Sequence, residues 1–228
     1  MISIVIPAYN EEKRIYGSLV KLTNFMNKNF TRYEIICVVD GEDKTGEIVK
    51  SFIKRNPRVK ILEFKRRLGK GNAIQKGILA SEGEKIIVLD ADLPISLELV
   101  PRYLEVLEDY DLVTGKRLFI YPFHRKIARR IWILIYHALF PELKVSDTQA
   151  GFKGFRRKVA LTLFKNLKTY GYGWDVEILL KASKKGFSIK EYPIRFFYKK
   201  NSKINFFIDW FFMLVELVKL KFMSRRNF

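Results

Sequence analysis

Asp90-Ala91-Asp92 sets two carboxylates one residue apart, directly behind the apolar run Ile86-Ile87-Val88-Leu89. At the end of a buried strand they would repel each other unless a cation lay between them. Mg²⁺ and Mn²⁺ take hard oxygen ligands and substrate phosphates, so either ion would relieve that repulsion and hold a diphosphate. Asp90 and Asp92 are therefore the candidate metal ligands. A solvated turn or a helix cap is the plain alternative for an isolated Asp-x-Asp, and the position after a strand favours the metal. Lys70 stands between Gly69 and Gly71 where a helix should begin. Glycines let backbone approach a phosphate closely, and a helix start supplies free N–H groups. The spacing is not that of a Walker loop, so no ATPase motif is implied.

These residues need a scaffold, and the first half of the chain supplies one. Apolar runs rich in β-branched residues predict strands at 2–6, 35–39, 59–64 and 86–89, with helices between them at 11–29, 45–55 and 72–81. Continuous apolar strands separated by helices predict an α/β fold with a mostly parallel sheet covered on both faces. Ligands in such folds sit beyond the carboxyl ends of the strands. The residues there are Pro7 to Glu12, Asp40 to Asp43, Gly69 to Asn72 and Asp90 to Asp92. Further on, strands are predicted at 112–116 and 187–197, and a loop or short strand at 146–155. Helices are predicted at 126–140, 158–167, 174–185 (closed by Gly186) and 205–223.

The chain has 228 residues, 48% hydrophobic and 29% charged, which suits one globular domain. Its 43 Lys and Arg against 24 Asp and Glu give a net charge of +19 and favour an anionic partner: nucleic acid, an anionic membrane or phosphorylated substrates. No RNP-type aromatic motif, zinc-finger spacing or helix-turn-helix is recognisable, and the acidic cluster would repel a phosphate backbone without a metal; no nucleic-acid partner is expected. Cys37 lies in an apolar run and reads as a buried structural thiol. Residues 1–7 read as a strand rather than a signal peptide. No uncharged apolar run reaches the ~20 residues needed to span a bilayer, so a cytoplasmic location is expected.

Several ordered motifs carry a resemblance. Val5 to Glu12, Val38-Val39-Asp40-Gly41, Gly69 to Ala73 and Leu89 to Asp92 resemble those of family 2 inverting glycosyltransferases. Asp147 to Lys153, Trp174-Asp175-Val176-Glu177, Glu191 to Ile194 and Ser202-Lys203-Ile204 narrow the likeness to dolichyl-phosphate glucosyltransferases and dolichyl-phosphate mannose synthases. The resemblance implies a GT-A, Rossmann-like domain over residues 1–204. It implies that Pro7, Ala8, Tyr9, Glu11 and Asp40 line the nucleoside pocket of a nucleotide-sugar donor. Lys70, Asp90, Ala91 and Asp92 would face its diphosphate with Mg²⁺ or Mn²⁺, and Ser202 and Lys203 would belong to a closing loop. Arg117 and one of Arg129 or Arg130 would meet donor and acceptor phosphates. Two features depart from the pattern. The loop at 40–43 is short, and Pro94 stands where mannose synthases commonly carry a metal-binding Gln, which favours UDP-glucose over GDP-mannose.

An alcohol acceptor would need a general base, for which Asp147 or Asp175 are the candidates. A phosphate monoester, with a second pKa of about 6, is mostly dianionic at neutral pH and needs none. A polyprenyl or dolichyl phosphate is accordingly the expected acceptor, with Asp92, Arg117, Arg130 and Lys203 as catalytic residues; a hydroxyl on a glycolipid or polysaccharide is the alternative. The helices at 126–140 and 205–228 present wide apolar faces beside basic residues, which suits interfacial helices at the cytoplasmic face of a membrane. Asp209, Glu216 and Lys219 form the polar strip expected on the second. Packing on the domain or on a second copy is the alternative. His124 and His137 are expected at the surface or in packing.

Overall fold

A computed structural model describes residues 1–118, 123–171, 173–195 and 206–224; the side chains of 123–129, 206–212 and 224 lie outside that description. Four strands build the first half: β1 (Ile2–Ala8), β2 (Tyr33–Val39), β3 (Val59–Glu63) and β4 (Lys85–Val88). All seven β2 residues are buried, as a parallel strand covered on both faces requires. Helices α1 (Ile15–Asn29), α2 (Thr45–Ile53) and α3 (Lys70–Ala80) make the crossovers. The sheet order is β3-β2-β1-β4, continued by β6 (Lys153–Arg156), β5 (Leu112–Leu118) and β7 (Ile189–Arg195). The order reverses between β1 and β4, and the crevice at that switch point is where an open α/β sheet binds ligands.

Strand β6 is antiparallel to both neighbours; Lys153 pairs with Val88 of β4 and with Thr114 of β5. A parallel strand delivers to the ligand edge the residues that follow it. The reversed β6 delivers the residues that precede it, which brings Gly151 beside Asp90. The remaining helices are α4 (Leu99–Asp109), α5 (Phe123–Leu139), α6 (Arg157–Phe164), α7 (Trp174–Lys184) and α8 (Phe206–Ser224). Helix α4 has no counterpart among the helices read from sequence. Pro101 suggests a break there, but it falls in the first turn, where its missing N–H has no intrahelical partner to lose.

Side chains of α1, α2 and α4 share one core cluster with Ile4, Ile6, Ile35 and Cys37. Helices α3, α5, α6, α7 and α8 fill the other, around Trp132, Tyr136, Phe155 and Trp174. Cys37 is buried as expected, and burial pushes its thiol up to about 12. Helix α8 is joined to this body, since Met213, Leu217 and Leu220 are buried in the second cluster. Each such side chain contributes about 1.5–3 kcal/mol, enough to hold the helix in place. The polar strip expected on α8 is corrected at Glu216, which turns inward to the amides of Gly171 and Gly173. The boundary expected at 204 falls outside the described residues.

Candidate active site

Three turns meet at the switch point. After β1, Asn10 adopts φ 54°, a left-handed conformation that asparagine tolerates. Its Oδ1 accepts the Glu42 N–H at 3.0 Å, and a Cβ on Gly41 would lie 2.3 Å from that oxygen. Glu11 N donates to Thr45 Oγ1 at 2.8 Å and Glu12 N to Asp43 Oδ2 at 3.1 Å. The turns after β1 and β2 are thereby stitched together, and the short 40–43 loop is what lets them close. Asp40 is buried, and its Oδ2 accepts the Leu68 N–H at 2.8 Å, so it anchors the stretch leading to Lys70. Pro7 and Ala8 close β1, and Tyr9 stands 38% exposed with the Arg67 guanidinium 4.4 Å over its ring.

After β4, Asp90 and Asp92 are about a quarter exposed, with Ala91 buried between them. Leu93 follows at φ 47°, a strained position for a leucine, held by its N–H to Asp90 O at 3.0 Å. Each carboxylate faces a cation. Lys70 Nζ is 2.6 Å from Asp90 Oδ1, and Arg14 is 3.7 Å from Asp92 Oδ2 while also gripping Glu11 at 2.8 Å. A cleft of about 350 Å³ opens beside Asp92 on the α1 side, lined by Arg14, Ser18 and Lys21. Gly151 completes the wall: a Cβ there would come 2.5 Å from Asp90 Oδ2.

Among the described residues no group of three His, Cys, Asp or Glu could hold a metal. Asp90 and Asp92 would by themselves make only half a cation site. Two hard carboxylates with room kept open by Gly151 suit Mg²⁺ or Mn²⁺ completed by substrate phosphate oxygens, the usual way Mg²⁺ binds. The residues fit the ion on that condition.

Two sequence expectations change here. Two of the N–H groups at the start of α3 are already engaged. Gly71 N donates to Tyr170 O at 2.9 Å and Asn72 N to the same oxygen at 3.4 Å, because residues 169–171 pack on it. Lys70 reaches the crevice through its side chain instead. The two base candidates are also engaged. Asp147, buried, accepts from Arg117 N, Nε and Nη2 at 3.1, 2.8 and 2.9 Å. Asp175 is paired with the buried ammonium of Lys153, which also donates to Thr148 O and Ala150 O at 3.0 and 2.5 Å. Burial raises the Asp175 carboxyl above its ordinary range, opposed chiefly by the Lys153 charge; burial likewise lowers the Lys153 ammonium.

Glu191 holds this arrangement from behind, its Oε1 accepting Ser146 N, Ser146 Oγ and Asp147 N at 2.9, 2.8 and 3.0 Å. Arg130 is exposed on α5. The Arg129 side chain, Ser202 and Lys203 lie outside the described residues. Arg14, Arg67, Lys153 and Glu216 were not legible as site residues. Arg14 had a local signal, three residues past Glu11 at a helix start, and Lys153 closes the motif that begins at Asp147.

With that geometry in place, the comparisons are informative. The glycosyl transferase family 2 profile matches residues 3–164. Dolichyl-phosphate beta-glucosyltransferase of Dictyostelium discoideum is 30% identical over 97% of this chain and 74% of that protein. The enzyme of that name from Saccharomyces cerevisiae is 31% identical over 96% and 74%. The fold is that of glucosyl-3-phosphoglycerate synthase from Mycobacterium tuberculosis, solved with Mn²⁺, UDP and phosphoglyceric acid: TM-score 0.75, 20% identity, 99% of this chain and 78% of that one. A mostly parallel sheet, an Asp-x-Asp at its switch point and a family match over most of the chain converge: this protein belongs to glycosyl transferase family 2 and is a glycosyltransferase of the GT-A fold.

Proposed function

We propose that the chain transfers glucose from UDP-glucose to the phosphate of a polyprenyl or dolichyl phosphate, inverting the anomeric carbon, with Mg²⁺ or Mn²⁺. One observation carries the choice of acceptor. The two carboxylates read as base candidates, Asp147 and Asp175, are each held by a cationic side chain, Arg117 and the buried Lys153. A hydroxyl acceptor would need one of them; a phosphate dianion needs neither. The acceptor oxygen bonds to the anomeric carbon as the bond to the diphosphate oxygen breaks. The electron pair leaves with UDP, and no proton moves.

What the protein supplies is position and positive charge. On this reading Pro7, Ala8, Tyr9, Glu11 and Asp40 seat the nucleoside, with Arg67 stacked on Tyr9 closing one side. Asp90 and Asp92 would hold the metal, which when bound offsets charge on the leaving diphosphate. Lys70 contacts the diphosphate, and Arg117, fixed by Asp147, meets the acceptor phosphate. Arg130, Lys203 and Ser202 are assigned to the same phosphate-neutralising face. Support for the lipid comes from the names of the relatives and from apolar side chains on α5 and α8. Ile131 and Leu134 are 42% and 69% exposed, and Val218 and Phe222 are 41% and 66% exposed. We assign the protein to a peripheral position on the cytoplasmic face of a membrane; no helix among the described residues is long and apolar enough to cross one.

The test is transfer of labelled sugar to polyprenyl phosphate, and to the matching polyprenol, with Mn²⁺ or with EDTA. Glucose transfer from UDP-glucose to the phosphate alone, lost in EDTA, is the expected result. Transfer to the polyprenol overturns the base-free reading, and a preference for GDP-mannose overturns the sugar.

A further inference from the structure

We propose that Glu216, on the last helix, is a positioning residue for the donor site and acts on Lys70 through the backbone of residues 169–171 and Gly173. The inference rests on the reading of Lys70 as a diphosphate contact.

The turn is suspended from two carboxylates on different helices. From α7, Glu177 accepts Lys168 N at 2.9 Å and Thr169 N and Oγ1 each at 2.7 Å. From α8, Glu216 Oε1 accepts Gly171 N at 3.0 Å and Oε2 accepts Gly173 N at 2.6 Å. Bonds to an ionised acceptor are roughly twice as strong as neutral ones, and the two oxygens of Glu216 take one glycine amide each. On its other side the turn presents Tyr170 O to Gly71 N at 2.9 Å, and Gly171 O to the same N–H at 3.2 Å. The adjoining Lys70 opens α3 and reaches Asp90 at 2.6 Å.

Four glycines make this path stiff. A Cβ on Gly171 would lie 2.6 Å from Glu216 Oε1, and one on Gly173 2.9 Å from Oε2. On the far side, a Cβ on Gly69 would lie 2.5 Å from Tyr170 O, and one on Gly71 2.7 Å from Thr169 O. Carboxylate, glycine backbone and helix start therefore meet at close contact, where a displacement is passed on. A shift of Glu216 moves the Tyr170 carbonyl, and with it the residue that carries Lys70. Helix packing alone would be met by Met213, Leu217 and Leu220, and does not call for a carboxylate aimed at two amides.

The test is a double-mutant cycle on the full chain, with UDP binding measured by calorimetry at fixed Mg²⁺ and thermal unfolding recorded for each variant. Lys70→Met should weaken UDP by about tenfold, the loss of one charged contact. Glu216→Gln should weaken it about three- to tenfold in the parent and have little further effect in Lys70→Met, since coupled residues are non-additive. Gly171→Ala disturbs the same contact from the opposite side, should show the same non-additivity, and carries the test should Glu216→Gln not fold. Equal losses in both backgrounds, or unfolding shifted with UDP binding intact, overturn the positioning role. If Lys70→Met binds UDP as the parent does, the reading of Lys70 falls, and the inference with it.

Discussion

At Asp147 a carboxylate is shared between the backbone and side chain of one arginine, and that sharing assigns its chemistry. On the proposed reading, a residue that accepts three hydrogen bonds from Arg117 fixes a cation rather than collecting a proton from an acceptor hydroxyl. Asp147→Asn should therefore lower kcat/KM for the acceptor by about 10- to 100-fold, through a misplaced Arg117. The pH–rate profile should keep its shape; disappearance of its acid limb in the variant would restore Asp147 as a base. At this scale the sequence was partly legible. Asp90, Asp92 and Lys70 announce themselves because each follows a strand at short range. Glu191 and Glu216 do not, because their partners lie 45 residues away at Ser146 and Gly171, and nothing local marks a glutamate that caps a distant turn.

Among the elements, the crossovers of the first half were legible from apolar runs and turn residues, while the reversal of β6 and the presence of α4 were not. A four-residue strand carries no periodicity that fixes its direction, and Pro101 masks a helix it does not break. Two glycines separate geometry from function at this level. Gly69 (φ 82°) and Gly186 (φ 73°) both sit in the left-handed region, but only Gly69 has neighbours where a Cβ would go. Gly186→Ala should cost about 1–2 kcal/mol of stability and leave UDP affinity unchanged. Gly69→Ala should cost more and weaken UDP as well, because the start of α3 must back away from Tyr170. Paired denaturation and UDP titration of the two variants check this; equal behaviour would remove the link between that helix start and the donor.

The whole molecule is a strongly positive body with apolar side chains on α5 and α8 left to solvent. Deleting the last helix would strip Met213, Leu217 and Leu220 from the core, so substitutions at the exposed positions are the cleaner probe of a membrane surface. Leu134→Glu combined with Phe222→Glu should release the protein from anionic vesicles at an unchanged melting temperature. Binding of the parent should fall as salt rises from about 0.05 to about 0.5 M, as screening of surface charge requires. Co-sedimentation unaffected by both changes would take α5 and α8 out of any lipid contact.

The reversed strand bears on how the chain assembles. Because β6 lies between β4 and β5 but is synthesised after both, those two strands stay unjoined until residues 153–156 pair with each of them. Until then the nascent sheet carries a raw edge at β4, the kind of edge on which polypeptides clump. The closure is non-local and so belongs to the slow part of folding. The wall that Gly151 gives to Asp90 arrives with that same pairing, so on the proposed function the donor crevice is finished only when the sheet is sealed.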